Sequence, residues 1–384
     1  MNWTKTATPI WFTRSRGLVS GDGVGAWSFG GPVDAATPLS LRFPPVGFGL
    51  LLRRLGHKVW GIGMTRGIQA GRQTTLRQQV VIAGIGVHSG LPATLTLHPA
   101  EADTGIVFLR SGADGGPDRE LNASFRYVTA TEFATVLGDH SGPAVSTTEH
   151  VLAALYGLGV DNAVVEVDGP EVPIMDGSAA PFVAAIDQAG IVTVSAPRRF
   201  IQVLKPVRVR KNDSYGELRP HLHGLRVETE IEFDHPLIGR QTFAIDLEPS
   251  AFRRELARAR TFGFMRDVAK LWSAGYARGA SFDNTVVVAE NRVLNAEGVR
   301  FADEFVRHKA VDAIGDLALA GAPLFGAYRS VRGGHKLNHA IITALMADPS
   351  AWTYVEMSEA VRRARSRADL PMALAAPAYG SEAS

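Results

Sequence analysis

His308, Asp312 and Asp316 follow one another at intervals of four residues in the run E-F-V-R-H-K-A-V-D-A-I-G-D-L-A-L-A. On an α-helix that interval returns a side chain to the same face, so the run sets an imidazole and two carboxylates along one stripe. An imidazole and a carboxylate one turn apart can close on a single divalent cation. The same pair can equally be a solvated ion pair that costs little and gains little. Two other places carry matching chemistry. Glu149-His150 offers an acid/base carboxylate beside a third nitrogen ligand, and Gly333-Gly334-His335 sets a histidine in a loop whose glycines admit a ligand close to the backbone. Asp316 is the carboxylate that would raise the pKa of His335 and let it donate a proton at neutral pH.

Each of these has a plainer structural reading. Ser146-x-x-Glu149 is a capping box, with Ser146 capping a helix and Glu149 reaching back to the Ser146 amide. His150 is then a helix-face histidine, and Gly333-Gly334-His335 a surface turn. For Glu149 and His150 to serve one ion, it must lie near the helix start, because adjacent helical side chains diverge by roughly 100°.

The elements that position these residues can be read from periodicity. Helix 304–320 buries Phe305, Ala313, Ile314 and Leu317 on one side and turns its polar seam toward a cavity, with Gly321 and Pro323 stopping it. Strands at 79–84, 93–97 and 105–110 precede a helix at 147–158, a strand at 162–168, and an Asp176-Gly177-Ser178 turn into a further helix through Phe182, Val183 and Ile186. A second set begins near Pro197, with strands at 201–209, 225–233 and 241–245, a helix at 250–260 and a strand at 285–288 before the polar-seamed helix. Two successive β-then-α units predict an α+β protein with domains at 68–196 and 197–355, the second carrying two metal ligands, and a C-terminal helix and tail at 356–384.

Composition narrows the chemistry. The chain has 384 residues, a net charge of +2, 46% hydrophobic residues and no cysteine. Without thiolates, a metal site here is built from nitrogen and oxygen. The near-neutral charge gives no footprint for a nucleic-acid partner, and apolar runs short of the ~20 residues of a membrane span give no stable membrane insertion. A cytoplasmic address follows, with no mark of oligomeric state. Residues 1–63 differ from the body, holding four of the six tryptophans and seven Lys or Arg against two Asp, with no sustained periodicity. They are expected to be a poorly ordered appendage or an over-long gene start, with Met64 the native first residue.

Five motifs occur in register: T-T-E-H-V-L-A-A-L, P-I-M-D-G-S-A-A-P-F, A-R-T-F-G-F, R-H-K-A-V-D-A-I-G-D-L and G-G-H-K-L-N. In this order they resemble the motifs of the UDP-3-O-acyl-N-acetylglucosamine deacetylases, over residues 74–352. The resemblance implies two similar domains with helices sandwiched between two sheets, and a lipid A biosynthetic amidase acting on a UDP-linked acylated amino sugar. It implies zinc, or ferrous iron, on His150, His308 and Asp312, with a fourth position left for water. Glu149 would be the general base. Thr261 and a protonated His335, oriented by Asp316, would stabilise the oxyanion, and Lys309 would meet substrate oxygen. Phe233, Phe262 and Arg332 would contact substrate, Arg332 standing where a lysine is more usual. An insert at 264–284 would form a hydrophobic passage for the acyl chain. The competing expectations are an amidase with another substrate, or a metal-free module that only binds UDP-sugars.

Overall fold

The computed structural model describes residues 71–356, apart from 112–117, 139–141, 143 and 222. The expectations for residues 1–63, for a start at Met64 and for a helix after Glu356 lie outside the described residues; Glu356 itself closes the strand Trp352–Glu356.

Strict alternation builds the first sheet. In Pro92–Pro99 the side chains of Ala93, Leu95 and Leu97 are buried and those of Thr94 and Thr96 are half-buried, as period-2 geometry requires. Leu95 and Leu97 stand opposite Val167 and Val165 in the antiparallel neighbour Ala163–Val167. The spatial order is Val80–Ile85, Pro92–Pro99, Ala163–Val167, Ile106–Arg110, Arg119–Asn122.

The second sheet has seven strands, with Leu324–Val331 as its hub. That strand pairs antiparallel with Ser214–Arg219 and parallel with Leu225–Glu232, while its first residues pair parallel with Arg199–Val203. Leu225, Val227, Thr229 and Ile231 face the core. The predicted strand at 201–209 is two strands, Arg199–Val203 and Val207–Lys211, because Pro206 lacks the N–H that a continuous ladder needs.

Helices fill the space between the sheets, which makes the protein α+β. Glu304–Ala318 packs on Leu225–Glu232 and Arg240–Asp246, His335–Ala347 packs on Val207–Lys211 and Ser214–Arg219, and Ala180–Ala189 packs on Val80–Ile85. Glu149–Leu158 lies against both Ala180–Ala189 and Glu304–Ala318. Every residue of Glu149–Leu158 except Tyr156 is buried, which suits a helix that is apolar almost all round. Gly315 allows its close approach to the neighbouring helix, since a Cβ there would lie 2.0 Å from the Glu149 carbonyl oxygen.

Three local expectations are corrected. The Glu149 helix has no capping box. Thr147 turns the chain at φ +59° and Ser146 is extended against Glu171, so the helix starts at Glu149, with no side-chain cap. The predicted helix at 250–260 stops at Leu256 in a wide π turn, and residues 257–261 run on outside any helix or strand. His335 does not sit in a loop; it is the first residue of the helix His335–Ala347, with an extended Gly334 before it.

Candidate active site

The polar seam of Glu304–Ala318 faces the start of Glu149–Leu158 across a buried gap. His150, His308 and Asp312 are each at most 3% exposed, and their ligand atoms all lie within 4.8 Å of one another. Asp312 Oδ1 is 3.3 Å from His308 Nε2 and 3.6 Å from His150 Nε2, and the two rings meet edge to face at 4.9 Å. These separations are wider than hydrogen bonds should be, and Asp312 Oδ1 is buried with no hydrogen-bond partner. A buried carboxylate oxygen left unpaired costs free energy unless something positive sits beside it. A divalent cation meets that need, so the residues fit a metal.

Protonation states point the same way. Burial pushes the His308 imidazole down to about 3, leaving it neutral with Nε2 turned to Asp312 and Nδ1 3.1 Å from the Ala259 carbonyl. As the donor in that second contact, Nδ1 leaves the Nε2 lone pair free for a metal. Burial alone would raise the Asp312 carboxyl, but the Lys309 ammonium, 2.9 Å from Oδ2, holds it well below the usual carboxylate range. Lys309 is raised in turn, because the Asp312 carboxylate outweighs the effect of burial.

Two candidate proton carriers flank the cluster. Glu149 is buried, which raises its carboxyl pKa; Oε2 accepts from the Thr135 amide at 3.0 Å and Oε1 lies 3.8 Å from His335 Nε2. The structure places Glu149 at the first helical position rather than three residues in, so its side chain meets the Thr135 amide instead of folding back on its own helix. His335 Nδ1 donates to Asp316 Oδ2 at 2.8 Å. Burial would lower the His335 pKa, yet Asp316 and Glu149 raise it to about 9, which keeps the ring protonated at neutral pH.

Around Asp316 lies a network that sequence reasoning did not assign. Thr135 Oγ1 donates to Oδ1 at 2.6 Å, Asn338 Nδ2 donates to Oδ2 at 2.8 Å, and the Tyr328 hydroxyl donates to Asn338 Oδ1 at 2.6 Å. Asn338 was visible in principle, since it follows His335 by three residues and so shares its face of the helix. Thr135 directly precedes the two-residue strand Val136–Leu137, too short to give a periodic signal, and Tyr328 reads as an ordinary strand residue.

A cavity of about 420 Å³ opens over these groups. Glu149, His150, Thr261, His308, Asp312 and His335 form its polar end, and Lys309 also lies on its wall. Phe264, Val268, Leu271, Ala280 and Val287 line an apolar extension, four of them from residues 264–284. The Thr261 hydroxyl makes no hydrogen bond among the described residues, while its backbone is fixed by Gly177 and Val286. Phe262 lies on the wall, edge-on to Phe305 and His308. Phe233 and Arg332 are not on the wall. Phe233 packs behind Phe262 and Phe264, and Arg332 pairs with Glu232 at 3.2 Å on the surface. Among the described residues, no helix is long and apolar enough to cross a membrane.

A buried cluster of two imidazoles and a carboxylate, flanked by a second buried carboxylate and a protonated histidine at the end of an apolar pocket, suits metal-assisted hydrolysis. The comparisons agree with that chemistry. The family model "LpxC: UDP-3-O-acyl N-acetylglycosamine deacetylase" matches residues 73–347, well over half of the chain. Curated UDP-3-O-acyl-N-acetylglucosamine deacetylases of Brucella ovis, Brucella abortus and Brucella melitensis are 51% identical to it over 286 residues, covering 74% of this chain and 98% of each relative. The chain belongs to the UDP-3-O-acyl N-acetylglycosamine deacetylase family and is a hydrolase acting on an N-acetyl amide.

Proposed function

We propose that the chain hydrolyses the 2-acetamido group of UDP-3-O-[(3R)-3-hydroxyacyl]-N-acetylglucosamine, releasing acetate in the committed step of lipid A synthesis. The observation that carries this reading is the convergence of His150, His308 and Asp312 within 4.8 Å, with Glu149 and His335 beside them. The substrate class comes from the relatives' names, and the apolar extension suits its acyl chain. A nucleotide-sugar substrate goes with a cytoplasmic reaction. We read the body as two α+β halves, 68–196 and 197–355, each supplying one side of the site.

His150, His308 and Asp312 would hold the metal, and their nitrogen and oxygen donors suit zinc and ferrous iron alike. When bound, the ion supplies Lewis acidity and makes a water more acidic. Glu149 takes the proton of the attacking water, whose oxygen adds to the acetyl carbonyl carbon. The Thr261 hydroxyl and protonated His335 donate toward the oxyanion that forms. As the tetrahedral centre collapses, the carbon–nitrogen bond breaks and His335 gives its proton to the departing amine. Asp316 keeps His335 charged and aimed, Lys309 meets a substrate oxygen, and Phe262 packs beside the sugar. Phe233 and Arg332 would meet the UDP part.

The test is acetate release from this substrate by the purified full-length chain, with and without a chelator. Turnover that a chelator abolishes and zinc restores supports the reading. Tight UDP-sugar binding with no metal and no acetate would make the chain a binding module instead.

A further inference from the structure

Arg260 and Glu304 form a buried ion pair that the proposed reaction does not use. Arg260 is 2% exposed and Glu304 is 0% exposed, the least accessible pair of opposite charges among the described residues. Both the Arg260 side chain, through Nε, and its own backbone N–H donate to Glu304 Oε1 at 2.9 Å. The terminal nitrogens donate to Glu297 at 2.6 Å and to the Gly298 carbonyl at 2.7 Å, and Glu304 also accepts from the Arg300 amide. Burying two charges is expensive, and well-packed apolar side chains often hold a fold as well as such a pair does. Stability alone is therefore a weak reason for it to be here.

Its location supplies a better one. Glu304 is the first residue of the helix that carries His308 and Asp312. Arg260 sits near the end of the segment left unwound when the preceding helix stops at Leu256. Its two neighbours each do something at the site. The Ala259 carbonyl faces His308 Nδ1 at 3.1 Å, and Thr261 lies on the cavity wall between Gly177 and Val286. No regular ladder fixes the position of Ala259. Ala259 donates its N–H to the Leu256 carbonyl and Arg307 reaches Glu255, and the backbone bond at Arg260 and the guanidinium fork add the buried tie between this stretch and the helix it must orient.

We propose that the Arg260–Glu304 pair is a positioning device for the metal site. It locks the 259–261 segment onto the ligand helix, so that the Ala259 carbonyl holds His308 with its Nε2 lone pair forward and Thr261 stays in place on the wall. The inference rests on the reading of His308 as a metal ligand. Outer partners of this kind govern ligand orientation, and losing one typically weakens metal affinity by about 10–100-fold.

The experiment compares zinc affinity, by competition with a chromophoric chelator, in the full-length wild type, Glu304→Gln and Arg260→Lys. Asp161→Asn is the control, because it breaks another largely buried pair, Arg198–Asp161 at 2.8 Å, away from the cavity. The two site variants should bind zinc about 10–100-fold more weakly, and kcat should fall more than KM rises. In the zinc-free protein, nitrogen-15 NMR of the His308 ring should show the Nδ1–H tautomer in the wild type and a mixture in the variants. Asp161→Asn should lower thermal stability and leave zinc affinity within twofold. If Glu304→Gln does not fold, Arg260→Lys gives the same reading, since it keeps the charge and the backbone bond and loses only the fork. Folded site variants with wild-type zinc affinity and an unchanged His308 tautomer overturn the proposal. A wild type that binds no zinc overturns the metal reading instead.

Discussion

His335 Nε2 lies 3.8 Å from Glu149 Oε1 while its Nδ1 donates to Asp316 at 2.8 Å. One imidazole thus stands between two carboxylates, anchored to Asp316 and facing Glu149 across a gap. At that distance Glu149 and His335 attract each other as charges without sharing a hydrogen bond, and both line the cavity. The arrangement suits the opposite tasks proposed for two groups whose environments set their protonation apart.

The pH profile follows from those environments. In the proposed reaction Glu149 acts only when ionised, and burial raises its pKa, so activity should fall as pH drops through that raised value. In the same proposal His335 acts only when protonated, so activity should also fall as pH rises through about 9. The kcat/KM profile should be a bell, and His335→Gln should lose most of the rate together with the alkaline limb. An alkaline limb that survives this substitution unchanged belongs to some other group.

Replacing Glu149 with Gln keeps its shape and removes its basicity. The expected loss in kcat is about 10²–10⁴-fold, with KM nearly unchanged. Steady-state kinetics at saturating zinc measure it. A loss below about fivefold would show that Glu149 is not the base.

Asn338→Ala removes a donor to Asp316 and strands the Tyr328 hydroxyl, both in the core. The cost in stability is about 1–3 kcal/mol, the penalty for leaving buried polar groups unpaired. A drop of roughly tenfold in kcat should accompany it, because a freed Asp316 holds His335 less well. Urea denaturation and kinetics on the same preparation check both. Tyr328→Phe, which strands only one acceptor, should be the milder change.

Gly315→Ala pushes against the Glu149 carbonyl, where the new Cβ would come within 2.0 Å. Neither helix backbone can yield cheaply, so the variant should lose about 1–3 kcal/mol of stability. Because those two helices carry His150, His308 and Asp312, zinc content should fall with it. Full zinc occupancy in a stable Gly315→Ala protein would mean that helix separation does not set the ligand geometry.

The polar face of Glu304–Ala318 was legible because helical periodicity is a strong signal. His308, Asp312 and Asp316 share a face by spacing alone, and the chain folds that way. The strands around Leu95 and Leu97, and around Val227 and Ile231, were equally plain from alternation. What sequence could not show was local backbone geometry. The left-handed turn at Thr147 removes the capping box, and nothing in Thr147's residue type announces it. The early end of the helix at Leu256 frees the Ala259 carbonyl, yet the apolar pattern runs on past it. Long-range hydrogen bonds such as Thr135 to Asp316, 181 residues apart, have no sequence periodicity at all.

The claim on which the rest depends is that His150, His308 and Asp312 bind one catalytic metal ion. Metal analysis of the purified full-length wild type, Asp312→Ala and Glu149→Ala, with acetate release assayed on the same samples, tests it most directly. The expected result is about one zinc or iron per wild-type chain, loss of both metal and activity in Asp312→Ala, and loss of activity with metal retained in Glu149→Ala. An Asp312→Ala protein that keeps its metal and its rate contradicts the account.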